Sequence, residues 1–132
     1  MTNFSLPVRV YYEDTDAGGI VYYVNYLKFM ERARTEWLRT LGFNQANLPI
    51  LFVVKDVKLS YQLPAVLDDE LEVRVAVASY RGARITFQQQ ITRNTNVLCS
   101  GSVEVACVDR KSLRPCRLPA TLLQCLPPLD TW

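Results

Sequence analysis

The sequence predicts an α+β domain, with a curved antiparallel sheet wrapped around one long helix. Three observations carry that expectation. Apolar residues recur at steps of three or four in a single long stretch, residues 25–41. From residue 53 the period changes to two and stays there through four successive runs. The connections between the later runs are hairpin-length, which makes their pairing antiparallel. A lone helix with an apolar stripe then needs the sheet to cover it.

Each element can be justified in order. Residues 7–13 (PVRVYYE) alternate in part and read as a first strand. The turn-rich stretch DTDAGG follows, with two glycines able to take positive φ. In the helix, Tyr26, Met30, Ala33, Trp37 and Leu41 make the stripe, widened by Leu27, Phe29 and Leu38. Asn25 is the expected N-cap and Gly42 the expected left-handed stop. Val57, Leu59, Tyr61 and Leu63 alternate with polar residues until Pro64. Leu71, Val73, Val75 and Val77 form the next run, and Ile85, Phe87, Gln89 and Ile91 the one after, across the Arg81-Gly82 turn. A turn at residues 94–96 leads to the last long run, residues 97–108, where Gly101 is expected to mark a bulge or bend. The tail carries three more prolines and at most a short helix.

Composition narrows the function. The 132 residues suit one domain spanning 1–132, with no repeat, low-complexity segment or linker to divide it. Hydrophobic residues make up 49% and charged residues 21%, an ordinary globular balance. A net charge of +2 gives no reason to expect nucleic acid. The longest apolar run, residues 50–54, is too short to span a bilayer, and the N-terminus lacks a signal-peptide core. A cytoplasmic location is therefore expected. The four cysteines come no closer than eight residues apart and read as reduced, partly buried thiols. With no histidine in the chain, zinc chemistry and every Ser-His, Cys-His or histidine-base mechanism fall away. Catalysis has to run on carboxylates, hydroxyls, amines or backbone amides, with no cofactor expected.

The chemistry is best placed at residues 14–25. A helix N-terminus carries unpaired N–H groups and a partial positive charge, which suit a carbonyl oxygen about to become an anion. A carboxylate just upstream, Asp16, can act on the same carbonyl, a minimal constellation for acyl-transfer hydrolysis. Three readings of Asp14 and Asp16 stand side by side: catalysis by Asp16, hydrogen bonding within their own turn, and a metal-binding DxD pair.

Residues 10–39, VYYEDTDAGGIVYYVNYLKFMERARTEWLR, closely resemble the signature of the hot-dog acyl-CoA thioesterases encoded with the Tol-Pal system. They are also similar to 4-hydroxybenzoyl-CoA thioesterase through the pattern D-x-A-G-hydrophobic-V-x-Y-x-N-Y, relaxed here by an extra glycine. The resemblance continues in LDDELEV (67–73), YRGAR (80–84) and VACVD (105–109). It implies the hot-dog fold, a five-stranded antiparallel sheet around one long central helix. It also implies sheet-to-sheet dimers, often assembled into tetramers, with active sites at the dimer interface. By the same resemblance Asp16 takes the catalytic position, and the backbone N–H of Tyr23 polarises the thioester carbonyl. The Tol-Pal-associated enzymes commonly carry histidine where this chain has Tyr23. The amide survives that change, whereas any proton transfer by the imidazole does not. Tyr23 is then left to offer its hydroxyl, to stack on an acyl group, or to pack at the interface.

On this basis the expected substrate is an acyl-CoA, with acyl carrier protein as a second possible carrier. Asp16 can attack the carbonyl to form a mixed anhydride, or deprotonate a water. Arg81 and Arg84 can meet the phosphates of coenzyme A, or form a solvated hairpin tip. Tyr23, Tyr26, Phe52 and Val57 can line an acyl slot, with Ser60 on a strand beside it. Two other classes stay open: a non-catalytic acyl-CoA or acyl carrier protein binding module, and an interaction protein linked to envelope or phospholipid metabolism.

Overall fold

The structure, a computed structural model, describes residues 3–126. Five strands form one antiparallel sheet: β1 (Asn3–Arg9), β2 (Ile50–Tyr61), β3 (Glu70–Arg81), β4 (Arg84–Arg93) and β5 (Asn96–Asp109). Their order across the sheet is β1-β3-β4-β5-β2. Helix α1 (Asn25–Thr40) packs on one face, and a short helix, α2 (Ala120–Leu123), follows the last strand. Phe29, Met30 and Ala33 of α1 are fully buried, as are Val73 and Ile91 of the facing strands. The stripe and the period-2 faces therefore meet as the sequence implies.

The sequence-based expectations fail at three places. The first strand begins at Asn3, not residue 7, and residues Tyr12–Asp14 form a 3-10 turn. Phe4, Leu6, Val8 and Val10 alternate toward the core, a period-2 signal that starts earlier than PVRVYYE. Pro7 is tolerated because β1 is an edge strand. Asn25 does not cap the helix: Val24 occupies that position, and no side chain bonds to the helix start. Gly101 marks a close approach with no slip in register. It pairs in register with Leu59 on one side and Gln89 on the other. A Cβ there would lie 1.9 Å from the Lys58 carbonyl oxygen, so only glycine lets β2 and β5 approach this closely. The register shifts fall elsewhere, between Val54 and Asp56, between Val77 and Ser79, and between Ile91 and Thr92.

The turns behave as their residues suggest. Gly42 ends α1 with φ of 90° and Gly82 turns the β3–β4 hairpin with φ of 59°. Cys99 and Cys107 are buried, as the reduced-thiol reading expects. Burial pushes the Cys99 thiol up to about 11. Among the described residues no helix is long and apolar enough to cross a membrane. Three of the seven prolines, at 119, 127 and 128, belong to the tail; the last two, with the rest of residues 127–132, lie outside the described residues.

Candidate active site

Residues 14–22 fold back on themselves. The Asp16 N–H donates to the Ile20 carbonyl at 2.9 Å, and the Tyr22 N–H donates to the Asp14 carbonyl at 2.9 Å. Thr15 and Val21 pair between them. Gly19, with φ of 83°, makes the turn. Gly18 donates its N–H to Asp16 Oδ1 at 2.8 Å. A Cβ on residue 18 would sit 3.2 Å from that same oxygen, so glycine keeps the carboxylate uncrowded.

The two aspartates part company here. Asp14 is buried, and its carboxylate is fully engaged: Oδ2 accepts the Tyr11 N–H and Oδ1 accepts the Asn25 Nδ2, each at 2.9 Å. Asp16 is exposed, and the Gly18 contact is its carboxylate's one hydrogen bond among the described residues. The turn-bonding reading thus accounts fully for Asp14 and only partly for Asp16. Among the described residues no cluster of metal-ligating groups forms, so the DxD pair lacks the further ligands a metal site would need.

The Asp14–Asn25 bond also explains the bare helix start. Asn25 spends its side chain on Asp14, so it does not bend back to cap the first turn. The N–H groups of Asn25, Tyr26 and Leu27 reach the carbonyls of Tyr22, Tyr23 and Val24. Those of Tyr23 and Val24 find no acceptor among the described residues. Two donors at the positive end of a 16-residue helix are therefore left for an incoming carbonyl oxygen.

A second layer fixes this end of the molecule. Val21 donates its N–H to the Ala65 carbonyl at 2.9 Å, and Ala65 donates its own to the Tyr26 hydroxyl at 3.1 Å. Burial raises the Tyr26 pKa, opposed by the Ala65 N–H. The loop that carries Ala65 is pinned by Arg93, whose Nη1 contacts Asp69 Oδ2 at 2.6 Å and the Pro64 carbonyl at 3.2 Å. Asp69 Oδ2 also accepts the Val66 N–H. Sequence reading missed Asn25, Ala65, Asp69 and Arg93 as supports. Only the acidic pair in LDDELEV hinted at them, because the contacts reach across the chain, 11 residues from Asn25 to Asp14 and 24 from Arg93 to Asp69.

The remaining expected residues scatter. Tyr23 is 58% exposed, and its ring stands edge-on to Tyr61 at 6.1 Å. Tyr23, Tyr26, Tyr61 and Leu63 share a cavity of about 240 Å³. Val57 faces a different cavity with Val24 and Leu27, and Phe52 lies farther along α1 beside Trp37. Ser60 is exposed; its neighbour Leu59 packs on the core, so the serine projects from the opposite face of the sheet. Arg81 and Arg84 face one another at the tip of the β3–β4 hairpin, with Arg84 Nη1 3.3 Å from Glu104 Oε1. Eleven residue steps of β3 separate that tip from the Asp16 end, on the order of 30 Å. A single chain therefore does not bring the arginines to Asp16, and it turns the Ser60 side chain to the face of the sheet away from the helix.

Comparison with known proteins adds to this geometry. The family model of the thioesterase-like superfamily matches residues 10–126. The chain is 52% identical over 120 residues to the acyl-CoA thioesterase YbgC of Haemophilus influenzae, covering 88% of each chain. It is 45% identical over 126 residues to the acyl-CoA thioester hydrolase YbgC of Escherichia coli, covering 92% of this chain and 94% of that one. A probable thioesterase from Bartonella henselae superposes with a TM-score of 0.86 at 34% identity, covering 89% of this chain and all (100%) of that one. The five-stranded sheet and its helix are the hot-dog arrangement of these proteins. With the match running from the Asp16 turn through the last strand, the chain belongs to the thioesterase-like superfamily.

Proposed function

We propose that this protein hydrolyses acyl-CoA thioesters, with Asp16 as its reacting carboxylate. One observation carries the reading: Asp16 is relieved of structural duty by Asp14 and lies in the loop that leads to an uncapped helix start. The names of the YbgC relatives agree with acyl-CoA as substrate.

The thioester carbonyl oxygen accepts from the Tyr23 N–H, which draws charge toward the helix's positive end. Asp16 attacks the carbonyl carbon, the thiolate of coenzyme A leaves, and water hydrolyses the resulting mixed anhydride to free acid and aspartate. Direct attack is preferred to activation of water because the chain has no histidine to assist a water molecule. The chemistry is completed across a dimer. Exposed apolar groups flank the proposed site (Ile20, Tyr22, Tyr23) and the edge strand β2 (Val53, Val54), and a second copy buries both. In that assembly the Arg81 and Arg84 tip serves the coenzyme A phosphates bound at a partner's Asp16. Pairs of dimers give the tetramer, acyl carrier protein is a second acyl donor, and the protein works in the cytoplasm.

The test is thiol release from a panel of short, long and aromatic acyl-CoA substrates, with the mass in solution measured alongside. Turnover of at least one substrate by an oligomer is expected. An oligomer that binds acyl-CoA without releasing thiol would make the chain a binding module instead.

A further inference from the structure

Between α1 and the β2 side of the sheet lie two adjoining cavities of about 310 and about 320 Å³. Glu31, Arg34 and Val54 border both, so the two lie end to end along α1 and form one slot with these residues at its middle. The slot starts at Val24, beside the free helix-start N–H groups, and ends against Trp37 and Leu122. Its walls are mostly apolar, and the charged side chains along them are Lys28, Glu31 and Arg34.

Arg34 is an odd residue to find there. It is half-buried, and its hydrogen-bond partner is a neutral side chain: Nη1 donates to Gln89 Oε1 at 2.9 Å. Gln89 is itself fixed, because its Nε2 donates to the Met30 carbonyl at 3.1 Å. Among the described residues no carboxylate forms an ion pair with Arg34. Glu31, one turn earlier, is exposed and acts on it only at a distance. Burial accordingly pulls the Arg34 pKa down. A partly desolvated guanidinium with most of its five donors unused attracts an anion of matching shape.

We propose that Arg34 selects acyl groups whose far end carries a carboxylate, so that the preferred substrates are CoA thioesters of dicarboxylic acids. The proposal rests on the thioesterase reading above and names the substrate class of that site. Ten residues separate Val24 from Arg34, about 15 Å of helix, and an arginine side chain leans back toward the helix start. With the thioester at the Tyr23 N–H, a medium-length acyl chain lies along the slot and brings its terminal carboxylate to the guanidinium. A plain alkyl chain of the same length leaves that cation unpaired.

The test compares thiol release from suberyl-CoA and octanoyl-CoA, which have the same chain length and differ at the far end. Wild-type kcat/KM is expected to favour suberyl-CoA by on the order of 10- to 100-fold, the range a hydrogen bond to a charged group commands. Arg34→Met removes the charge and keeps an apolar stem; it is expected to bring the ratio to one or below, and Arg34→Lys to restore part of it. A wild-type ratio of one or less, with release still dependent on Asp16, overturns the selection and leaves the thioesterase reading standing. Release from no acyl-CoA at all overturns both. Mass in solution is measured on each variant. If Arg34→Met dissociates the oligomer and lowers both rates in parallel, Arg34 pairs with a neighbouring subunit and the selection is likewise overturned.

Discussion

Residues 10–26 send their side chains to two different places, and the contrast explains the site. Val10, Asp14, Val21, Asn25 and Tyr26 point inward and are buried, with every polar group among them engaged. Tyr11, Tyr12, Asp16, Tyr22 and Tyr23 point outward and are exposed. The inward set fixes the backbone, so the outward set is held in position without having to hold anything. Asp14 and Asp16 are the sharpest case, two residues apart in sequence and opposite in burden. A carboxylate meant to attack an incoming group has to be reachable, and the inner one is not.

Variants on the inward side should lose stability in proportion to what they leave unpaired. Asp14→Ala strands the Tyr11 N–H and the Asn25 amide, at about 1–3 kcal/mol for each group that stays buried. Its urea midpoint should fall the most of the set, and an unchanged midpoint would break the contrast. Tyr26→Phe removes the acceptor of the Ala65 N–H and should cost about 1–2 kcal/mol, read from the same denaturation curves.

Alkaline pH sharpens the same point more gently. The folded-state pKa of Tyr26 is raised above its ordinary 10.0 by burial. Its contribution to stability is intact below pH 10 and is lost as pH climbs through the folded value. The stability gap between wild type and Tyr26→Phe should therefore narrow above pH 10. Cys99, raised from 9.0 to about 11, is present in both proteins, and its charge adds to the rise at Tyr26. A gap that widens with pH would contradict a buried, neutral phenol. On the outward side the expected effect on stability is nil: Asp16→Asn should melt with the wild type, since the asparagine oxygen can still accept the Gly18 N–H.

Much of this was legible from sequence because it is periodic. The stripe from Tyr26 to Trp37 and the alternation in β3 and β4 state which faces are buried, and the β3–β4 and β4–β5 turns state how the strands are joined. Asp16 stood out by its place before a helix. What stayed hidden depends on contacts between residues far apart in the chain. Nothing local says that Asn25 will serve Asp14 and leave the helix uncapped, or that Arg93 will pin the loop carrying Ala65. The first strand was misplaced by four residues because PVRVYYE is apolar without needing to be a strand, while Phe4 and Leu6 sit among polar neighbours. Arg34 carries no local signal, since its half-burial and its bond to Gln89 come from the sheet opposite.

The most direct measurement is thiol release by Asp16→Asn beside wild type, on the best substrate of the panel, with both proteins melting at the same temperature. A carboxylate that does the chemistry and no structural work predicts a fall in kcat of roughly 10²- to 10⁴-fold. An Asp16→Asn protein that turns over at the wild-type rate would contradict the account, and the reacting group would have to be sought elsewhere.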